Sequence, residues 1–236
     1  MGRPRKDPVD GGPPHSQTLD RGLRLLAAVA EAAAPPDLAE LAERIDVHRS
    51  VAYRLIRTLE DHKLVRRTAD HRYEPGIGLA ALAAGVRRPV QAAAMPELTR
   101  LAARAGATAF LAVPDGAEVV TLASVEPLSG PAHVAYRPGT RHPVQRGAPG
   151  LAILAGGPPR PSERPEVGLC RRRGYASSRG EVLPGLSAVA APVLAPGGDV
   201  VGAVALVFLH VTHDAATLGP LVAESASVIG AALRAT

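Results

Sequence analysis

In the first eighty residues, apolar positions recur at intervals of three and four, the spacing that places them on one face of a helix. Leu19, Leu23 and Leu26 follow this spacing, and a proline pair at 35–36 ends the segment. Asp37 is predicted to cap a second helix, because a short side-chain oxygen before an apolar run accepts hydrogen bonds from the first free amides. The chain is therefore predicted to begin with two amphipathic helices.

The next segment predicts a helix-turn-helix followed by a hairpin. Leu38, Leu41 and Ile45 form one apolar stripe, residues 46–48 interrupt it, and Ser50 is predicted to cap a longer helix. The inward face of that helix is predicted at Val51, Leu55, Ile56 and Leu59, and two short strands are predicted at 64–67 and 72–74. Helix, turn, helix and hairpin together make a winged helix-turn-helix.

After Gly76 the pattern changes to apolar runs separated by Gly and Pro turns, which is typical of strands. The predicted strands are 107–113, 118–125, 133–136, 187–194 and 200–209, with helices at 77–86, around 98–105 and at 214–233. This order favours an α+β fold with a mainly antiparallel sheet. The predicted divisions are an arm at 1–16, a winged helix-turn-helix at 17–76, a linker helix at 77–89 and a second domain at 90–236.

Composition narrows the class of protein without deciding it. The chain has 236 residues, 27 Arg and Lys against 22 Asp and Glu, and the single cysteine Cys170. One cysteine cannot form an internal disulfide or a zinc site built from clustered thiolates, which fits a reducing compartment. The sequence does not begin with a secretory signal, and its longest apolar run, 200–209, is shorter than the roughly 18 residues of a membrane span. We therefore expect a cytoplasmic protein with no membrane partner.

Positive charge concentrates where the longer helix and the hairpin are predicted. Between residues 48 and 72 there are seven Arg and Lys and three acidic residues, whereas the two signs nearly balance over residues 1–80. A DNA phosphate backbone attracts such a patch. Residues near the start of a recognition helix meet base edges, so Arg49 and Arg54 are predicted to contact bases. The predicted contacts to phosphate are Ser50, Tyr53, Arg57 and Arg72.

The N-terminal arm carries the basic segment Gly2-Arg3-Pro4-Arg5-Lys6. Its Gly-Arg-Pro core is similar to peptides that lie flat in a narrow A·T minor groove. Met1 stands where such peptides have a further arginine, and a solvated basic tail is the other interpretation.

The sequence gives only weak signals for catalysis. Cys170 precedes three arginines, 171–173, which would lower the pKa of an exposed thiol, although an unreactive thiol is the simpler interpretation. Four histidines of the second half lack the spacing of metal ligands: His133, His142, His210 and His213. Because no phosphate-binding loop or nucleophile elbow occurs either, we predict no catalytic residue, no metal and no cofactor.

Three blocks of residues resemble the IclR-type bacterial transcriptional regulators. They are 18–23 and 38–55 with Gly76, then 136–143 with 147–152, and then 173–181 with 184–186 and 190–193. The resemblance covers residues 18–234. It implies a GAF-like second domain that binds a small-molecule effector and assembles the protein as a dimer or a dimer of dimers.

Carried over position by position, the resemblance also implies site residues. The effector pocket would be lined by Gly147, Ala148, Glu181, Ser187, Val189, Ala205 and Val207, and Arg21 would join the DNA contacts. The last strand of relatives often presents hydroxyls, whereas Ala205 and Val207 present methyl groups. Because an apolar wall leaves fewer buried donors to satisfy, an apolar or aromatic effector is favoured over a carboxylate.

We therefore predict a ligand-responsive regulator, a repressor rather than an activator, which binds a pseudo-palindromic double-stranded operator as a homodimer or homotetramer. The ligand would act through the helix at 77–86. Two other classes of protein remain open. One is an enzyme with a basic helical appendage that uses Cys170 or Glu181, and the other is an architectural nucleic-acid binder whose second domain only dimerises.

Overall fold

The computed structural model describes residues 16–128 and 134–233. The chain divides into two compact units, with the boundary between Val86 and Arg87. The fold is α+β, as predicted from the sequence: the first unit contains helices and one hairpin, and the second contains a six-stranded sheet with helices on both faces.

The first unit is a winged helix-turn-helix with a small apolar core. Its elements are α1 Gln17–Ala30, α2 Leu38–Arg44, α3 Arg49–Asp61, β1 Val65–Arg67, β2 Tyr73–Pro75 and α4 Gly78–Ala83. The antiparallel pair β1–β2 is called the wing below. Leu25, Leu41 and Ile56 are fully buried between α1, α2 and α3, and Tyr73 of the wing closes the same core.

The two predicted helix caps have different outcomes. Asp37 caps α2 as predicted: its Oδ1 accepts from the Ala39 and Glu40 amides at 2.7 and 3.0 Å, and Glu40 accepts in return from the Asp37 amide. The prediction that Ser50 caps α3 is wrong. The helix begins one residue before Ser50, and His48 is the cap, with its Nδ1 accepting from the Ser50 amide at 3.3 Å.

The buried face of α3 also differs from the predicted one. Ala52, Ile56 and Leu59 are buried, whereas Val51 and Leu55 are only half-buried. Both the predicted and the observed buried positions follow the helical period. The difference is that the small residue Ala52, which the prediction left out, is buried. The exposed face of α3 therefore carries the residues at 49, 50, 53, 54 and 57.

The second unit is a single antiparallel sheet with strand order β5-β4-β3-β8-β7-β6. Its elements are α5 Arg88–Ala105, β3 Thr108–Asp115, β4 Glu118–Val125, β5 Arg141–Pro143, α6 Gly147–Gly156, α7 Pro165–Arg173, β6 Ala176–Arg179, β7 Leu186–Leu194, β8 Val200–Leu209 and α8 Ala215–Ala232. The sheet is covered on both faces. Leu98, Leu206 and Val222 pack in the layer of α5 and α8, and Phe110 and Leu151 pack in the layer of α6 and α7.

Two predicted elements are not observed as predicted. Residues 134–136 form no strand, and His133 lies outside the described residues. Instead of pairing in the sheet, this segment packs against it: the Val134 carbonyl accepts from the Thr108 hydroxyl at 2.6 Å, and Tyr136 lies against Phe110. The helix predicted over 77–86 is the shorter α4, residues 78–83.

Helix α8 is the one element of the described chain that is long and apolar enough, by length and composition alone, to cross a membrane. Its buried side carries Leu218, Val222 and Ile229, which pack in the same core as α5 and the sheet. A core helix of a globular domain has this composition as well, so α8 is only weak evidence for a membrane span.

Candidate functional site

An open groove of about 1040 Å³ lies along the exposed face of α3 and the wing. It brings together five of the predicted DNA contacts: Arg49, Ser50, Tyr53, Arg54 and Arg72. Arg21 and Arg57 do not line the groove. Arg21 is exposed on α1, and an Arg57 guanidinium nitrogen lies 3.8 Å from a Glu60 carboxylate oxygen.

The groove contains basic groups that the sequence analysis did not single out. His48, Arg67 and His71 line it together with the predicted residues. Arg67 and His71 belong to the wing and its turn, whose contact with the start of α3 depends on the tertiary fold. The exposed positions 66 and 67 of β1, next to the buried Val65, were the signal in the sequence that could have added Arg67.

Arg72 has a second, structural contact. Its Nη1 donates to the Pro35 carbonyl at 2.9 Å and lies 3.4 Å from a Glu40 carboxylate oxygen. These contacts fix the wing against the turn that precedes α2. Arg72 is therefore held at the edge of the groove.

The basic arm segment at 2–6 lies outside the described residues.

The end of α3 is tied to the start of α4. The Gly76 amide donates to the Leu64 carbonyl at 2.9 Å, and the Gly78 amide donates to the Lys63 carbonyl at 2.8 Å. Lys63 and Leu64 directly follow α3, so the wing returns the chain to the base of the recognition helix. As a result, the start of α4 is hydrogen-bonded to the short segment that follows α3.

The second unit contains a small cavity between the sheet, α6 and the loop at 180–185. About 30 Å³ of it can hold the centre of a water molecule, which is room for one or two waters. The lining residues are Phe110, Tyr136, His142, Gly147, Pro149, Ser178, Glu181, Val182, Leu183, Leu186, Ser187, Ala188 and Val207. Most of the wall is apolar, and its polar groups come from a few side chains.

Four of the seven predicted effector residues line this cavity: Gly147, Glu181, Ser187 and Val207. Ala148 and Ala205 are fully buried beside it in the layer of α6 and do not line it. Val189 lies on the other face of the sheet, in the layer of α5 and α8. The residues of β7 that line the cavity are Leu186, Ser187 and Ala188, and Val189 beyond them packs on the other face of the sheet.

The start of α6 approaches the cavity very closely. Gly147 has a φ of +75°, which L side chains rarely adopt, and a Cβ there would lie 2.7 Å from a methyl carbon of Val182. A glycine therefore brings the backbone of α6 next to the 180–185 loop. The Gly147 amide donates to Glu181 Oε2 at 2.9 Å, and the Ala148 amide donates to Ser178 Oγ at 2.8 Å.

Glu181 is the most strongly held charged group of the cavity. Arg164 binds both of its carboxylate oxygens, at 2.9 and 3.0 Å, and Arg146 donates to its backbone carbonyl. The hydrogen bonds from Arg164 lower the pKa of Glu181 below its ordinary value, the Gly147 amide adds to this, and partial burial opposes it. In return, Glu181 raises the pKa of Arg164.

Aromatic and imidazole groups form another part of the cavity wall. The rings of Phe110 and Tyr136 have centroids 4.6 Å apart, and burial raises the pKa of Tyr136 against a hydrogen bond to Thr121. His142 is buried, with its Nδ1 3.1 Å from the Pro143 carbonyl oxygen. This wall offers flat apolar surface with few hydrogen-bonding groups.

Cys170 does not have the environment of a reactive thiol. It is buried in the layer of α6 and α7. Burial raises the pKa of Cys170 to about 11, and the nearby charges of Arg173 and Arg171 offset only part of this effect. Within the described residues, no group of three or more His, Cys, Asp or Glu side chains is placed to hold a metal ion.

We expect Cys170 to resist alkylation in the folded protein, because the thiolate is both disfavoured and inaccessible. Incubation with iodoacetamide at mildly alkaline pH should leave the native protein unmodified by mass spectrometry. The same incubation in denaturant should add one carbamidomethyl group. Native modification at the rate of an exposed cysteine would contradict this assignment.

These units define a winged helix-turn-helix protein with a second domain built around an antiparallel sheet. Residues 18–69 match the model of the IclR helix-turn-helix domain. The chain is 29% identical over 199 residues to a probable transcriptional regulator, SauR, of Cupriavidus necator, and this match covers 74% of the chain and 79% of SauR.

Solved structures resemble the chain over nearly its whole length. An IclR transcriptional regulator of Alicyclobacillus acidocaldarius has a TM-score of 0.76 and 26% identity, covering 93% of this chain and 99% of that one. The IclR of Thermotoga maritima has a TM-score of 0.72 and 26% identity with the same coverage. An IclR homolog of Microbacterium hydrocarbonoxydans, complexed with 4-hydroxybenzoate, has a TM-score of 0.78 and 22% identity, covering 93% and 100%. The chain is thus similar to IclR-type transcriptional regulators, in the helix-turn-helix domain at 18–69 and in the fold of nearly its whole length.

Proposed function

We propose that the protein is a ligand-responsive repressor that binds a pseudo-palindromic operator as a homodimer or homotetramer in the cytoplasm. The observation that carries this proposal is the groove of the first unit. It gathers Arg49, Arg54, Arg67 and Arg72 along the exposed face of α3 and the wing. A groove of this charge beside a recognition helix fits the phosphates and base edges of duplex DNA.

The position of each side chain along α3 indicates its role. Arg49 and Arg54 lie in the first and second turns, where a recognition helix meets base edges, and Arg is suited to the O6 and N7 of guanine. Ser50 and Tyr53 stand beside them, and Arg72 at the wing; we assign these three to phosphates. Arg21 and Arg57, outside the groove, would reach phosphates on its flanks.

The cavity of the second unit is proposed as the effector site. Its apolar wall favours a small apolar or aromatic molecule. An IclR homolog in complex with 4-hydroxybenzoate shows an aromatic ligand on a protein of this fold. Because only about 30 Å³ of the cavity can hold the centre of a water molecule, we expect a ligand of aromatic size to need movement of the lining, with Val182 and Leu183 of the adjoining loop as the candidates.

The proposed coupling uses the connection between α3 and α4. Since hydrogen bonds from Gly76 and Gly78 tie the start of α4 to Lys63 and Leu64, just after α3, a movement of α4 would shift the recognition helix. A ligand would change DNA affinity only as far as it binds the two arrangements of the protein differently. Catalysis is not part of this proposal: Cys170 is buried, and Glu181 is held by Arg164.

Footprinting on the promoter regions beside its own gene tests the proposal and reports the operator. We expect protection of a two-fold related sequence, and a change in affinity when a panel of small apolar molecules is added. Binding should weaken steeply with salt, as counterion release requires. An equal affinity for all duplexes, with no effect of any ligand, would instead favour an architectural DNA binder.

Arg54→Ala is expected to cost about 1–3 kcal/mol of operator binding and to relax base preference at one position, because Arg54 is assigned to a base. Arg57→Ala is the matched comparison: it removes the same side chain from the same helix outside the groove, and it should weaken all sequences alike. Titrating each protein variant against the operator and against operators with single-base changes measures its affinity and its base preference. If Arg54→Ala weakens every sequence equally, Arg54 is a backbone contact.

A further inference from the structure

We propose that Glu181 is a built-in ligand of α6, whose carboxylate occupies the place where an effector's carboxylate would bind, so that the cavity accepts neutral molecules and excludes anions. This inference rests on the proposed role of the cavity as the effector site. It specifies in addition that the effector is uncharged, and that Glu181 is the residue that selects against anions.

The amides of Gly147 and Ala148, at the start of α6, already donate hydrogen bonds within the protein. A helix N-terminus attracts anions because its first N–H groups lack partners within the helix. Here the Gly147 N–H is bound by Glu181 and the Ala148 N–H by Ser178. The third residue, Pro149, has no N–H, and its ring faces the cavity. The first three residues of α6 therefore offer an incoming anion no amide.

The positive charge of Arg164, beside these amides, is already paired with Glu181. Arg164 donates to both oxygens of Glu181, and its Nη1 donates in addition to the Gln145 carbonyl at 3.0 Å. The residues that line the cavity, all within the described part of the chain, include no Arg or Lys. A second carboxylate beside Glu181 would meet a like charge in partly buried surroundings, which is unfavourable.

Arg164 binds Glu181 in the geometry that it would offer to a free carboxylate. Two parallel N–H···O bonds, together with one helix amide, hold the Glu181 side chain. Removing that side chain would leave the two terminal nitrogens of Arg164 and the Gly147 amide without a carboxylate, while Arg164 Nε keeps Glu166. A small carboxylate from solution should then take its place.

The rest of the wall suits a neutral molecule with a hydrogen-bond donor. With Nδ1 of His142 donating to the Pro143 carbonyl, Nε2 of the neutral ring is free to accept a hydrogen bond. Phe110 and Tyr136 supply flat apolar surface beside it. A phenol, an alcohol or a primary amide has the required chemistry.

Glu181→Ala tests the proposal by chemical rescue. Its thermal unfolding midpoint is expected to fall below that of the wild type and to rise by about 2–4 °C in sodium acetate, relative to sodium chloride of equal ionic strength. The wild type should show no such rise. Glu166→Ala is the matched control, because Glu166 also binds Arg164, at 3.3 Å, but it is not the acceptor of the Gly147 or Ala148 amide. If acetate stabilises all three proteins equally, the proposal is overturned.

Two measurements on the wild type keep the proposal testable if Glu181→Ala does not fold. Acetate titration should leave the amide NMR signals of Gly147 and Ala148 unshifted, and a saturable shift would overturn the proposal. Neutral benzamide should raise the unfolding midpoint more than benzoate does, and an equal or larger rise with benzoate would overturn the ligand class. None of these measurements uses DNA. Rescue by acetate without any ligand effect on operator binding would therefore refute the proposed function and leave the role of Glu181 standing.

Discussion

Ile56→Ala is expected to abolish operator binding by unfolding the first unit while the second unit stays folded. Ile56 is fully buried between α1, α2 and α3, next to Leu25 and Leu41. Truncating such a side chain costs about 2–5 kcal/mol, from lost burial and the cavity left behind. Because small domains bury a smaller fraction of their surface and have little stability to lose, this cost is large enough to unfold a unit of this size.

Ile77→Ala is the control for this prediction, since it removes the same atoms from a side chain that is 78% exposed in the same unit. It should change the free energy of unfolding by less than about 0.5 kcal/mol. Hydrogen exchange read separately for the two units, together with duplex titration, measures both variants. If Ile56→Ala also loosens the second unit, or if both variants behave alike, the account of the first core is incorrect.

Gly150→Ala is expected to destabilise the second unit although alanine is the better helix former. A Cβ at Gly150 would lie 2.2 Å from the Val144 carbonyl oxygen, so the backbone before α6 would have to move. Overpacking of this kind costs about 1–3 kcal/mol or more, which outweighs the gain of about 1 kcal/mol from helix propensity. Urea unfolding should show the loss.

Gly168→Ala makes the same change in α7 and should have the opposite sign. The nearest atom to its Cβ would be an Arg172 nitrogen at 3.8 Å, an ordinary contact. Only helix propensity then acts, and the free energy of unfolding should increase by up to about 1 kcal/mol. A stabilising Gly150→Ala would show that the approach of Val144 to α6 is looser than described.

The first unit could be predicted well because its signals are local. The capping box of Asp37 depends on residues within one helical turn, and the exposed face of α3 follows from the helical period. The same local reasoning failed for Ser50, because His48 caps the helix and Ser is the more usual N-cap. The contribution of Arg67 and His71 to the groove depends on how the wing folds back.

The effector cavity was harder to predict because the central strands contain little alternation. β7 reads Leu-Ser-Ala-Val-Ala-Ala-Pro-Val-Leu, and both of its faces are covered by helices. A strand that is buried on both faces has no polar side to set its register. The prediction consequently included Ser187, which lines the cavity, but placed Val189 there instead of Leu186 and Ala188. The bond between Glu181 and α6 joins residues 34 apart in the sequence and leaves no local pattern.

The sheet order has a consequence for synthesis of the chain on the ribosome. β8 lies between β3 and β7 and pairs with both, so Thr108 stands opposite Val207. The first unit is complete by residue 86 and can fold as it emerges. The second must wait with an unpaired, apolar β3 edge until residue 209 has been translated. A nascent chain that stalls earlier exposes that edge to neighbouring polypeptides, which makes the interval before β8 emerges the period in which this protein most needs a chaperone.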